Sequence, residues 1–328
     1  MVDEVRSSTT RPSLWLMGLL GVLAVAAIPA AALLAQEGGR PGFTIAETGR
    51  GYARLQQAVD AIGDGDGTVM IAPGTYRQCA VQRGGRIAYR ATQPGRTVLT
   101  GTTCEGKAAR GLRRLCALVQ GLVFADLAVE DRNGAGIRLE RGDLTVSQGW
   151  FRDSEQGILS NRDPQARIRI DKSTFSRLGT CEGEGGCAHS IYIGDIGELV
   201  VTNSRFETGT GGHYVKSRAA RNVIEGNSFD DSAGRGTNYM IDLPNGGGGA
   251  VRGNWFVQGR DKENYSALIA VGAEEASYSS DGLAIEGNDA RLVPGLRRST
   301  AFIADWTGDA LIVRDNRLGA GIRPFERR

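Results

Sequence analysis

The chain has 328 residues, 39 Lys+Arg against 37 Asp+Glu, two histidines, and 41% hydrophobic but only 6% aromatic residues. A formal charge of +2 leaves no strong case for a polyanion-binding surface or an acidic-substrate funnel, and two histidines exclude a multi-histidine metal centre. Glycine fills 48 of 328 positions without a three-residue period, which excludes collagen and leaves a glycine-rich, β-rich protein with a core of small aliphatics.

Leu14 to Ala35 is an uncharged run of 22 residues preceded by Arg6 and Arg11. At about 1.5 Å per helical residue it can just span a ~30 Å hydrocarbon layer. Residues 1–40 therefore read as a signal peptide or a membrane anchor, with small-residue cleavage sites at Ala30–Ala32 and Ala35. In either case residues 41–328 are exported to the periplasm or beyond. If retained, the helix ties the protein to the inner membrane.

Leu55 to Ile62 has helical spacing. Gly63–Gly67 then turns the chain into the strand-like Thr68–Ile71 and a Pro73–Gly74 turn. A short helix in this place would cover the open end of a sheet, an edge that otherwise invites aggregation. Cys181 and Cys187 bracket a short loop that a local disulfide can close, whereas Cys79, Cys104 and Cys116 leave their pairing open. No CxxC or histidine-bearing ligand spacing exists, and no clear cluster supports a bound ion, calcium included.

From about residue 119 a pattern recurs: an aliphatic residue, a small or amide residue three on, and an aromatic or aliphatic residue five on. It reads Val119-Leu122-Phe124, Val146-Gly149-Phe151, Ile170-Ser173-Phe175, Val201-Ser204-Phe206, Ile224-Asn227-Phe229 and Val251-Asn254-Phe256. Weaker copies are Ile285-Asn288-Ala290 and Val313-Asn316-Leu318. Their last positions lie 23 to 34 residues apart, which suits a coil with loops of variable length. Alternating aliphatics mark short strands with one buried face, and the Ser or Asn is expected at the turn because it tolerates left-handed backbone. Each repeat carries a further strand pattern: Ile191/Ile193, Val215, Ile241/Leu243 and Ile269/Val271. Such stacking predicts an all-β, single-stranded parallel β-helix solenoid, right-handed by the resemblance given below, with a short amino-terminal capping helix, preceded by the hydrophobic helix. A Leu-rich repeat lacks its leucines here, and a propeller needs four strands per blade.

Successive coils of a β-helix lie about 4.8 Å apart, so equivalent outward side chains form columns. If Ile191, Val215 and Ile241 point inward, Tyr192, Lys216 and Asp242 share one outward column. Tyr214 and Arg218 should flank Lys216, His189 and His213 should stack at the strand entry beside Tyr239, and Asn245 follows at the exit. Lys216, His213, Arg218 and Tyr192 are the candidate catalytic residues. His189, Tyr214, Tyr239, Asp242 and Asn245 are the candidate substrate-binding ones. This set suits a uronate sugar: a cation neutralises the carboxylate and the enolate-like state, Lys or His removes the C5 proton, and Tyr192 or Tyr214 protonates the leaving oxygen. Return of the proton from the other face would give epimerisation. The plain structural reading of Lys216 and Asp242 is a cross-strand ion pair worth about 0.2–1 kcal/mol.

The stretch from Leu55 to Tyr76 resembles the start of pectin-lyase-like right-handed β-helix proteins, and the resemblance extends over roughly residues 43–320. Gly212–Phe229, with Tyr239–Gly247 one coil later, resembles an uncharacterised bacterial group of the same kind. Lys216-Ser217 followed by Asn222 and Asn227 is more loosely similar to the Lys-Ser strand of β-helix lyases acting on alginate and chondroitin. That likeness implies Lys216 as base with an Arg on the next coil, where this chain has Asp242, Arg218 lying two residues from Lys216 instead. The epimerase motif Asp-Pro-His-Asp is absent, Asp163-Pro164 being followed by Gln165. The expected function is a lyase or epimerase on an acidic bacterial polysaccharide, in a monomer without cofactor. The alternatives are a polygalacturonase-like hydrolase or a non-catalytic glycan-binding or surface scaffold protein. For the hydrolase, Gly212-His213 precedes Asp230-Asp231 in the wrong order, and that acidic pair is expected at a turn.

Overall fold

The structure is a computed structural model that describes residues 41–104, 116–127, 134–182 and 186–328. The segment 14–35, expected as signal or anchor, lies outside these residues. Among the described residues no helix is long and apolar enough to cross a membrane.

Residues Arg40–Arg328 form one compact unit. Its strands pair in parallel, each with its equivalent one coil away, in sheets of twelve, ten and eight strands. These are the first, second and third walls of a parallel β-helix. At the amino-terminal end the strand Phe43–Ile45 instead pairs antiparallel with Gly51–Tyr52 and with Asp66–Ile71. The helix Leu55–Ile62 follows and buries Leu55, Ala58 and Val59, as its apolar spacing predicts.

The repeat maps directly onto the walls. Its aliphatic residue lies on the first wall, where Val146, Ile170, Val201, Ile224 and Val251 are aligned rung on rung and buried. Its phenylalanine lies on the second. Phe124, Phe151, Phe175, Phe206, Phe229 and Phe256 stack with centroids 4.8 or 4.9 Å apart and planes within 7° of parallel. The third wall aligns Ile158, Ile191, Val215, Ile241, Ile269 and Ile303, all fully buried.

The residue between the aliphatic and the phenylalanine acts differently from expectation. The left-handed position is the one before it: Gln148, Lys172, Asn203, Gly226, Gly253 and Gly287 have φ between 49° and 65°. The Ser or Asn then turns inward, and its oxygen accepts the backbone N–H of its equivalent in the adjacent coil. These bonds run from Gly149 N–H to Ser173 (3.1 Å), Ser173 to Ser204 (3.1 Å), Ser204 to Asn227 (2.9 Å) and Asn227 to Asn254 (2.9 Å). They continue from Asn254 to Asn288 (2.9 Å) and Asn288 to Asn316 (3.0 Å). The amides of Asn227, Asn254 and Asn288 also donate to the first-wall carbonyls of Val201, Ile224 and Val251. A buried turn N–H needs such a partner, since water cannot reach it.

Two disulfides staple the solenoid. Cys181–Cys187 closes the short loop as expected, and Cys79 pairs with Cys104. Disulfides of this kind fit an extracellular or periplasmic protein.

Asn254→Ala leaves the Asn227 N–H buried without an acceptor. The expected cost is about 1–3 kcal/mol, read as a lower midpoint in denaturant. The same substitution at the half-buried Asn264, whose Oδ1 caps Ser266 N–H, should cost less.

Candidate functional site

The third wall carries the site because its strands are short and its outward positions are not all hydrophobic. Strand pairing sets Tyr192 opposite Lys216 and Lys216 opposite Asp242. The neighbouring rungs are Leu159 on one side and Ala270 on the other, so the polar column is three rungs long. At the strand entry the rings of His189, His213 and Tyr239 form a stack, with centroid separations of 4.9 and 5.5 Å.

Lys216 is 9% exposed and lies between two carboxylates, 3.2 Å from Asp242 Oδ2 and 2.5 Å from Glu274 Oε1. Burial opposes its charge, but the two carboxylates overcome that and hold the ammonium above lysine's ordinary value. Lys216 is therefore held as a cation in this state by the two carboxylates beside it. Arg218 binds the other oxygen of Glu274 through Nη2. Its Nη1 donates to Asn245 Oδ1 at 2.6 Å and its Nε to Tyr192 Oη at 3.1 Å. Because the Tyr192 oxygen accepts from Arg218, the phenol proton is left to point elsewhere.

Asp242 is 3% exposed. Burial pushes its carboxyl up to about 6, with Lys216 pulling the other way. Its Oδ2 also lies 3.4 Å from His213 Nε2, and its Oδ1 is buried without a hydrogen-bond partner. Both imidazoles are held neutral. Burial, then the charge of Lys216, brings His189 down to about 3. His213 is lowered strongly, by burial first and then by its two cationic or ionisable neighbours His189 and Lys216. The backbone N–H of His213 donates to His189 Nδ1 at 3.0 Å, which places the proton of neutral His189 on Nε2.

One expected member lies elsewhere. Tyr214 is 1% exposed and packs against Phe206 and Phe229 inside the solenoid. Its hydroxyl donates to Asp231 Oδ1 at 2.8 Å. The alternation that put Tyr214 beside Lys216 holds only within a strand, and this strand starts at Val215. Asp231 is also no simple turn residue, for it forms a fully buried pair with Lys262 at 3.2 Å. Asp230 does cap a turn, accepting Ser232 N–H. Ser217 and Asn222 bond to each other at 2.6 Å in the interior, and Asn227 belongs to the buried ladder, so none of the three reaches the site.

Sequence reading missed Glu274. It follows the strand Ala267–Val271 in a loop that folds back across the wall. The N–H groups of Glu274 and Glu275 donate to Pro244 O, and Tyr278 N–H donates to Asn245 O. Tyr278 Oη reaches Asp195. A Cβ on Gly246 (φ 73°) would stand 2.5 Å from the Tyr278 carbonyl, so the glycine run after Asn245 admits this loop. At the other rim Cys181 Sγ lies 3.9 Å from the Glu263 carboxylate, which accepts from the Asn238 amide. The disulfide loop thus borders the strand-entry side.

No protein-family model matches the chain, and no curated protein matches it. Among solved structures it is similar to ORF18 of Geobacillus virus E2, at 14% identity and a TM-score of 0.57 over 83% of this chain and 56% of that one. It is also similar to a mutant of the PL6 family alginate lyase AlyGC, at 14% identity and a TM-score of 0.35 over 83% of this chain and 52% of that one. The chain spans about half the length of each. What the first likeness shows is the fold.

Neutral His189 has a consequence for acid stability. The unfolded chain takes up a proton near histidine's ordinary pKa of about 6.5, whereas the folded chain resists it down to about 3. Between these values the unfolded state binds more protons, so stability falls as pH drops through that window. His189→Gln keeps an acceptor for the His213 N–H. Denaturant unfolding at pH 7 and pH 4.5 should show a smaller loss in the variant than in wild type, and equal losses would place the ring in water.

Proposed function

We propose that this chain acts on an acidic, uronate-containing polysaccharide by proton abstraction at C5, leading to β-elimination or epimerisation. The observation that carries this reading is the convergence of Lys216 and Arg218 on the two oxygens of one carboxylate, beside a buried acid, two neutral imidazoles and a phenol. A cation pair of this geometry is a carboxylate clamp. It binds a sugar carboxylate and stabilises the charge that develops there when C5 loses its proton.

In this reading the base is the Asp242–His213 pair, since Lys216 stays protonated. Asp242 presents an unpartnered oxygen, and its raised pKa puts it near the range where a general base works at neutral pH. Tyr192, its oxygen already accepting from Arg218, donates its proton to O4 of the leaving sugar. The C4–O4 bond breaks as the C4=C5 bond forms, and the Tyr192 phenol is restored by the proton taken at C5. The right-handed, pectin-lyase-like form of the solenoid and export to an oxidising compartment belong to the same reading. His189, Tyr239 and Asn245 are its proposed substrate contacts along the groove.

Lys216→Ala should lower turnover of uronate polymers by at least about a hundredfold while leaving the far-UV circular dichroism unchanged. Full activity in that variant would remove the clamp from the mechanism. Elimination creates a conjugated double bond, so ultraviolet absorbance separates a lyase from a hydrolase, and deuterium uptake at C5 without absorbance marks an epimerase. The rate should rise with pH through about 6 as Asp242 ionises, and Asp242→Asn should abolish both the rise and the turnover.

A further inference from the structure

The clamp is already filled by the protein itself. Glu274 reaches it from a loop 56 and 58 residues further along the chain than Arg218 and Lys216, respectively. Its side chain remains 40% exposed, against 11% for Lys216 and 4% for Asp242. A carboxylate placed to complete a buried ion pair would be covered, whereas this one lies over the cations on their solvent side. The loop is tied by backbone bonds to Pro244 and Asn245 and by the Tyr278 hydroxyl to Asp195. The loop starts at Gly272, whose φ of 70° marks a turn. Below it, Asp242 Oδ1 and His213 Nδ1 are buried without hydrogen-bond partners, so the polar floor under Glu274 is incomplete as it stands.

We infer that Glu274 is a built-in stand-in for the ligand's carboxylate, and that the loop 272–278 is a latch which an acidic sugar must displace to enter the clamp. The exchange conserves charge. The incoming carboxylate replaces Glu274 on Lys216 and Arg218, so no buried cation is left bare at any stage, whereas a neutral sugar offers nothing to repay the release. The latch therefore makes selection for acidic over neutral glycans a competition between two carboxylates, and it lowers apparent affinity by the fraction of molecules held closed. For the identity of the ligand as a uronate this rests on the function proposed above. The seat's preference for a carboxylate does not.

The test compares wild type with Glu274→Ala and, in case the alanine variant does not fold, Glu274→Gln. Binding of acetate, glucuronate, galacturonate and neutral glucose is followed by thermal shift and calorimetry, and uronate oligomers are then added. Emptying the seat should tighten the binding of acetate and of the uronates by about tenfold or more, the factor by which a latch closed in ~90% of molecules weakens them. Glucose should remain unbound. Equal uronate affinity in wild type and variants would overturn the latch while leaving the proposed function in place. Folded variants that bind neither acetate nor uronate would overturn the carboxylate seat itself. Variants that bind the small carboxylates tightly while no uronate polymer is bound or turned over would uphold the seat and overturn the polysaccharide reading. Loss of turnover with unchanged binding would make Glu274 a catalytic group and end the latch proposal.

Discussion

The constraint on which the site depends is the registry of one coil on the next. Parallel strands fix only the spacing between rungs, about 4.8 Å, and a strand that slipped by one residue would turn every side chain to the opposite face. Two devices prevent the slip, and both sit at the turn between the first and second walls. The phenylalanines stack face to face inside, each aromatic pair contributing about 0.5–1.5 kcal/mol beyond its area. The Ser and Asn oxygens each accept one particular N–H from the adjacent coil, a bond that no shifted register can form. With that corner locked, the strands Ile191–Ile193, Val215–Ser217 and Ile241–Leu243, only three residues each, can hold their rungs despite few hydrogen bonds of their own.

What was legible in the sequence follows from this. The period of two within a strand turns buried Ile191, Val215 and Ile241 into outward Tyr192, Lys216 and Asp242, so the column could be read from residue types alone. The repeat also located the asparagines, though the left-handed residue proved to be the one before each of them. The amide is kept for the hydrogen bonds it makes inward, and its own backbone angles matter less. Tyr214 was misplaced because alternation was carried one residue past the strand's start, into a turn where the chain direction changes. Glu274 could not be found at all. Its partners are a coil or more away, and the length and path of a loop are not written in any period.

The two buried lysine–aspartate pairs among the described residues differ in how far their polar atoms are satisfied. Around Lys262 and Asp231 nearly every polar atom is engaged. Asp231 accepts from Tyr214, Thr237 and the Gly259 N–H, and Lys262 donates to Thr237 Oγ1 and Asn238 O. Tyr214 is drawn inside to complete that set, and the pair seals the interior below the third wall's entry. The attraction within a buried ion pair repays its desolvation only when the remaining hydrogen bonds are satisfied, and this one meets the condition.

Lys216 and Asp242 do not meet it. Asp242 keeps one oxygen unbonded and a carboxyl pushed toward neutrality, and Lys216 relies for its second partner on a carboxylate that water reaches. An arrangement with an orphaned acceptor, a fixed cation and two imidazoles denied their protons is costly to maintain if all it does is hold coils together. Apolar side chains at the same rungs, like the half-buried Leu159 and the buried Ala270 on either side, would serve that purpose with less strain. The cost is understandable if the missing partner is a ligand that supplies what the folded chain leaves unsatisfied. On the proposed reading, the three polar rungs set between apolar ones would mark the length of wall over which that ligand is held.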